Sequence, residues 1–280
     1  MKNIFEKQIK IKKCYDKLFR YGYVVLNSKI KQKKCEEYNK IIDKLSSKKN
    51  SKNVELSMCT NLLSKNFIFS EVVFNEDLLK LTQKFFNLSF HKDLENSFQL
   101  NAIHSRTIGI PSKAQNLHVD SKIPGIFPPI YASIIIYLDD VDESMGPTRV
   151  LPGSHKLVNF LERDYKKKTK KILGKKGTVI FINSSLWHGA SEKTSLKPRR
   201  IILLTYNRWF VRQNFANPFN LSKKVISKLN KKQKQILGFY NYPPISTKND
   251  NSLNGKLTDV NKNFRELFRK EVKNYILKFK

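Results

Sequence analysis

The chain has 280 residues, 40% of them hydrophobic and 11% aromatic, which supplies enough apolar surface for a large folded domain and excludes wholesale disorder. Its 54 Lys and Arg stand against 23 Asp and Glu, a formal net charge of +31, yet the lysines run through almost every segment and far outnumber the arginines. That pattern reads as compositional drift at surface positions and argues against a nucleic-acid partner, although such a field still draws in an anionic small molecule.

The opening "MKNIFEKQIKIKKC" holds no apolar stretch of signal-peptide length, and the longest apolar run, around "IYASIIIYL", is far short of a membrane span, so a cytoplasmic protein with no membrane partner is expected. Cys14, Cys35 and Cys59 are odd in number and lack CxxC spacing, which makes them reduced packing residues rather than a disulfide framework or a zinc site. "CYDKLFRYGYVVLNS" predicts a short helix, a turn at Gly22 and a strand over Tyr23–Leu26. Ser28 is placed to cap a helix through "KQKKCEEYNKIIDKLSS", where Cys35, Tyr38, Ile41, Ile42 and Leu45 fall at helical spacing, and "SSKKNSKNVE" follows as a polar loop. "NEDLLKLTQKFFN" makes a second amphipathic helix, with Asn75 or Glu76 at its start and Leu78, Leu79, Leu81, Phe85 and Phe86 on its apolar side.

Strand signals then take over. "SFQLNAIHSRTIGI", "QNLHVD", "YASIIIYLDDV", "TRVLPGS", "GTVIFIN" and "RRIILLTYNRWF" are rich in Ile, Val, Tyr and Phe and are bounded by Gly, Pro and Asn. The expected fold is mainly β, a jelly-roll or cupin-like barrel flanked by N-terminal α-helices. A domain over 1–215, with helices in 15–90 and the barrel in 95–212, is followed at 216–280 by an α-helical or irregular C-terminal extension that packs on the barrel or covers its mouth.

Within "NLHVDSKIPG", His118 and Asp120 are two residues apart, so in an extended segment both project to one side. His188 sits past the end of the strand opened by Gly177, and Arg199 begins the next strand eleven residues on, across a polar turn with Pro198. Arg199, Ile201, Leu203 and Thr205 share one face of that strand, and an Arg beside buried aliphatics needs an anionic partner. Two imidazoles and one carboxylate form the facial triad of non-haem Fe(II) oxygenases, with the Arg available to an anionic co-substrate.

The order of H-x-D at 118–120, "GPTRVLPGSHK" at 146–156 and "WHGASEKTSLKPRR" at 187–200 resembles the phytanoyl-CoA dioxygenase family of Fe(II)/2-oxoglutarate enzymes. The opening "YDKLFRYGYVVL" and the later "QILGFYNYPP" extend the resemblance over roughly residues 15–245. It implies a double-stranded β-helix, an Fe(II) site at His118, Asp120 and His188, and Arg199 on the distal carboxylate of 2-oxoglutarate. O2 is then consumed, and a small-molecule metabolite is hydroxylated with release of succinate and CO2.

Gln115, three residues before His118, is a further candidate for co-substrate binding, and Asn101, Arg106, Arg149 and Trp187 are candidates for substrate contact. Many members carry Ser two residues after the distal His and Asn three further on, where this chain has Ala190 and Lys193; Ser191, Thr194 and Ser195 are the candidates to compensate. The presence of Asp120 excludes the halogenase variant, and "SKIPGIFPPIY" lacks the ectoine-hydroxylase signature. His155 is open between touching the pocket and ordering its own loop, His91 and His104 read as structural or surface groups, and "DDVDES" as a solvated turn. Two other functions compete: a nucleic-acid or protein oxygenase of the same cofactor class, and a non-catalytic barrel that binds a small ligand.

Overall fold

The computed structural model describes residues 10–27, 29–47, 56–86, 98–159 and 168–239. Its strands are β1 (Tyr23–Leu26), β2 (Ser57–Thr60), β3 (Phe98–Ile108), β4 (Tyr131–Tyr137), β5 (Thr148–Val150), β6 (Lys170–Ile172), β7 (Val179–Asn183), β8 (His188–Ala190) and β9 (Arg199–Arg208). They form two antiparallel sheets, one of six strands in the order β1-β7-β4-β9-β3-β2 and one of three in the order β6-β5-β8. The architecture is mainly β.

Helices α1 (Ile11–Tyr21), α2 (Gln32–Ser47), α3 (Leu62–Lys65), α4 (Ser70–Val73) and α5 (Glu76–Phe86) precede β3, and α6 (Asn217–Asn220), α7 (Lys223–Ile226) and α8 (Lys231–Ile236) follow β9. Side chains alternate across a strand, so each central strand of the large sheet serves two cores. One face, including Ile103, Ile134, Phe181 and Leu204, is buried in the same apolar cluster as Leu18, Tyr38, Ile42, Leu78 and Phe86 of the helices. On the other face, Ile135, Ile180, Ile182 and Ile201 pack with Val150 and Ile172 of the small sheet. Burial on both sides is why "SIIIY" is apolar without alternation.

Local chemistry sets the element ends. Gly22, with φ of +81°, closes α1 by donating its N–H to the Leu18 carbonyl at 2.9 Å. The Asn75 side chain accepts from the Leu78 N–H at 3.2 Å and starts α5, with Glu76 and Asp77 favourably placed in its first turn. The Tyr206 hydroxyl on β9 reaches the Val73 carbonyl of α4 at 2.6 Å, pinning helix to sheet.

The structure departs from the sequence expectation in three places. β1 is the strand expected over Tyr23–Leu26, whereas β2 lies in the N-terminal stretch where no strand was expected, and the two form the edges of the large sheet. The short strands β2, β6 and β8 carry too few residues to show a period. "QNLHVD" is not a continuous strand: the stretch is held by isolated bridges, Ser112 to Lys193 and His118 to His188, and Asp120 already belongs to a turn. It pairs on one side only, and its exposed Gln115 and Asn116 supply no apolar face to extend the ladder.

In the C-terminal region, Leu221, Ile226, Leu229, Ile236 and Leu237 are buried in the helix-side core. Ser28, the loop over 48–55, His91 and residues 240–280 lie outside the described residues. Among those described, no helix is long and apolar enough to cross a membrane.

Candidate active site

Past its apolar core, the inner face of β3, β4 and β9 lines a cavity of about 630 Å³. The strand period sets what enters it: Ala102, His104, Arg106 and Ile108 from β3, Ser133 and Ile135 from β4, and Arg199, Ile201, Leu203 and Thr205 from β9. His118, Asp120 and His188 line the same space.

The two histidines arrive from segments that pair with each other. His118 N–H donates to the His188 carbonyl at 2.9 Å, and His188 N–H returns the bond at 3.0 Å. Their rings face at a centroid distance of 4.6 Å. Asp120 reaches both: its Oδ1 lies 3.7 Å from His118 Nε2 and its Oδ2 3.7 Å from His188 Nε2.

Each imidazole is oriented by its other nitrogen. His118 Nδ1 is 3.2 Å from the Asn116 carbonyl, and His188 Nδ1 is 2.9 Å from the Leu186 carbonyl. A carbonyl only accepts, so Nδ1 carries the hydrogen and Nε2 presents its lone pair to the cavity. The Asp120 carboxylate is fixed by the Ser133 hydroxyl, which donates to Oδ2 at 2.7 Å. Ser133 in turn lies 2.9 Å from the Ser184 hydroxyl.

Burial pushes the Asp120 carboxyl up, but His188, the Ser133 bond, His118 and Arg106 outweigh it, and the net shift is downward. Burial, and then His188, hold His118 below its ordinary value. A carboxylate and a neutral imidazole are the forms that coordinate a cation. The one nitrogen or oxygen offered by each of the three residues lies within 4.8 Å of the other two. Two imidazoles and one carboxylate, each with an outer hydrogen bond, suit a divalent first-row metal in a facial arrangement.

Arg199 opens β9 as a buried cation, 4% exposed, with NH1 donating to the Gly146 carbonyl. Its Nε finds no acceptor, and among the described residues no carboxylate pairs with it. Burial lowers its pKa against the opposing influence of Tyr137. A buried guanidinium without an anion calls for one from outside.

The other sequence candidates divide. Gln115 lines the cavity, and its side-chain oxygen accepts from the Ala190 N–H at 3.3 Å. Asn101 lines it as well, but its Oδ1 accepts from the Asn214 N–H at 2.8 Å and so anchors the chain after β9. Arg106 lines the cavity. Arg149 and Trp187 are not among the lining residues: Arg149 bonds the Gln115 carbonyl at 2.6 Å, and Trp187 sits in the buried turn before β8, its N–H held by Ser154 Oγ at 3.0 Å.

Ser191, Thr194 and Ser195 are also outside the lining, and Lys193 is folded back onto the Ser195 carbonyl. Thr148, directly across the ladder from Ala190, brings a hydroxyl into the cavity instead. His104, expected to be a structural or surface group, faces the cavity too, as does Ser133, which no sequence motif marks. Period-two counting along "NAIHSRTI" and "YASII" from their apolar positions carries the signal for both. His155 is buried away from the cavity, with Nε2 3.1 Å from the Phe19 carbonyl.

A sequence model of the phytanoyl-CoA dioxygenase family (PhyH) matches residues 18–201. Among curated proteins, dioxygenase FUM3 of Gibberella moniliformis is 26% identical over 159 residues, a match covering 54% of this chain and 53% of the relative. The chain thus spans about half the length of that relative. Among solved structures, HygX of Streptomyces hygroscopicus, with nickel and 2-oxoglutarate bound, superposes with a TM-score of 0.59 at 15% identity, covering 72% of this chain and 88% of its own. SnoN, a non-haem α-ketoglutarate-dependent epimerase from nogalamycin biosynthesis, gives 0.59 at 14% identity, covering 71% and 81%. These likenesses extend to the fold.

Proposed function

The chain belongs to the phytanoyl-CoA dioxygenase family, and from that premise we propose that it is an Fe(II)- and 2-oxoglutarate-dependent dioxygenase that hydroxylates a small-molecule metabolite. The observation that carries the reading is the convergence of His118, Asp120 and His188 on one cavity that also holds the buried Arg199, with which no carboxylate among the described residues pairs. The finer fold reading is a double-stranded β-helix, supported by two antiparallel sheets with the cavity on the inner face of the larger one. A domain over 1–215 with an extension from 216 that packs on it is supported by the shared burial of Leu221, Ile226 and Leu237. The three free, buried cysteines suit a cytoplasmic setting.

In this reading His118 Nε2, His188 Nε2 and the Asp120 carboxylate hold the iron, which when bound supplies the O2 chemistry that turns a C–H bond, O2 and 2-oxoglutarate into an alcohol, succinate and CO2. Arg199 grips the distal carboxylate of 2-oxoglutarate with a guanidinium pre-oriented by the Gly146 carbonyl, and Gln115 and Thr148 offer polar atoms along the same wall. Ile135, Ile201 and Leu203 give the cavity a dry wall that limits water near the reacting groups and strengthens each charge contact. Ser133, backed by Ser184, keeps the Asp120 carboxylate from rotating away.

Anaerobic addition of Fe(II) and 2-oxoglutarate is expected to give the weak visible charge-transfer band of a chelated keto acid, lost in His188→Ala. A folded wild-type protein without the band would overturn the proposal and favour a non-catalytic barrel.

A further inference from the structure

The cavity carries more positive charge than the proposed chemistry uses. Its lining includes four Lys or Arg side chains, Arg106, Lys113, Lys122 and Arg199, and one carboxylate, Asp120. With a divalent ion, the Asp120 carboxylate, dianionic 2-oxoglutarate and Arg199 in place, the charges cancel among themselves. Arg106, Lys113 and Lys122 are left over.

The three remaining cations differ in placement. Lys113 and Lys122 are exposed, where solvent screens them, and they serve at most to steer an anion inward. Arg106 stands on the cavity face of β3, its Nε buried without an acceptor, and among the described residues no acidic side chain pairs with it. Its charge reaches His104, His118, Asp120 and Arg199. In the β3–β9 register Ile108 faces Arg199, Arg106 faces Ile201 and His104 faces Leu203. Arg106 therefore sits about 7 Å, and His104 about 14 Å, along the strand from the level of Arg199. That register sets the Arg106 backbone two residues along β3 from the level of Arg199.

Space permits a second occupant. The ten non-hydrogen atoms of 2-oxoglutarate take up at most about 300 Å³, even at the volume share of liquid water, which leaves a comparable volume of the 630 Å³ cavity. His104 is held neutral by burial and by Arg106, so it offers a ring N–H or lone pair without adding charge.

Resting on the proposed iron and 2-oxoglutarate reading, we infer that Arg106, assisted by His104, binds an anionic group of the substrate, so that the substrate is a small metabolite bearing a carboxylate or a phosphate. The anion is anchored on β3, and the substrate carbon to be hydroxylated is presented toward His118, Asp120 and His188.

The test uses the anaerobic protein loaded with Fe(II) and 2-oxoglutarate, titrated calorimetrically with benzoate, with inorganic phosphate and with uncharged benzamide. Saturable binding of at least one anion and none of benzamide is expected, and the preference between the two anions identifies the group. Arg106→Gln is expected to weaken anion binding about tenfold or more, and Arg106→Lys to keep it within about threefold, with the charge-transfer band intact in both.

Absence of anion binding in wild type, wild-type binding in Arg106→Gln, or equal binding of benzamide would each overturn the inference. Loss of the band in Arg106→Gln at a 2-oxoglutarate concentration that gives it in wild type would overturn it too, by assigning Arg106 to the co-substrate. If wild type shows no band yet binds an anion through Arg106, the oxygenase reading falls while the anion site stands.

Discussion

Ser133 Oγ donates to Asp120 Oδ2 at 2.7 Å and receives from Ser184 Oγ at 2.9 Å, so a β4 hydroxyl sets the angle of the carboxylate in the turn after His118. The donor sense follows from the acceptor-only carboxylate: Ser133 gives its hydrogen to Asp120 and takes one from Ser184. Removing an outer-shell partner of a ligand typically costs about 10–100-fold in metal affinity. Ser133→Ala should therefore weaken Fe(II) or Ni(II) binding by that factor in a direct titration, with the circular dichroism spectrum unchanged.

Arg199 is buried, oriented by Gly146 and, among the described residues, without a carboxylate partner. Truncating one side of a buried charge pair costs about 2–5 kcal/mol. Arg199→Ala should raise the KM for 2-oxoglutarate about 30-fold or more, at 1.4 kcal/mol per decade. Succinate formation measured against 2-oxoglutarate concentration checks this, and a KM within twofold of wild type contradicts the assigned grip.

Burial, then the charge on Arg106, lowers the pKa of His104 from 6.5 to about 4, with Asp120 opposing. Between those values the unfolded chain binds a proton that the folded one does not, so stability falls as pH drops through that window and is fully present above it. The whole shift corresponds to about 3 kcal/mol. Urea midpoints at pH 7 and pH 4.5 should converge more for His104→Asn than for wild type; equal pH dependence in the two proteins counts against a neutral, half-buried His104.

Gly177 has φ of +86°, and its carbonyl accepts from the Lys29 and Ile30 N–H groups at 2.8 and 3.0 Å. A Cβ there meets the Ile30 carbonyl oxygen at 2.1 Å. Gly177→Ala is expected to destabilise the protein by more than about 2 kcal/mol through backbone strain and displacement of the α2 approach, as read from denaturant unfolding.

Much of this fold is legible in the sequence wherever an element is long enough to show a period. α5 declares itself through Leu78, Leu81 and Phe85, and β9 through its alternating faces. β2, β6 and β8 do not, because three or four residues carry no period and their pairing is decided by partners distant in the chain. The site divides in the same way. His118, Asp120, His188 and Arg199 stand out as a spaced constellation of unusual residue types, whereas Ser133 and His104 look ordinary until the cavity face of β3 and β4 is known. Trp187 and Arg149 draw attention by residue type, yet side-chain direction keeps both off the cavity wall.

The rung between His118 and His188 has a mechanical consequence. The backbones of the two residues are hydrogen-bonded to each other, and one of the few ties between the 112–120 segment and β8 is that pair. An ion gripped by both rings cross-links the same two segments a second time, through side chains, and acts as a rivet at a seam that the main chain closes only with isolated bridges. In the proposed reading, peeling this edge and releasing the ion are one event, and ion loading is expected to raise thermal resistance in proportion to the logarithm of its free concentration.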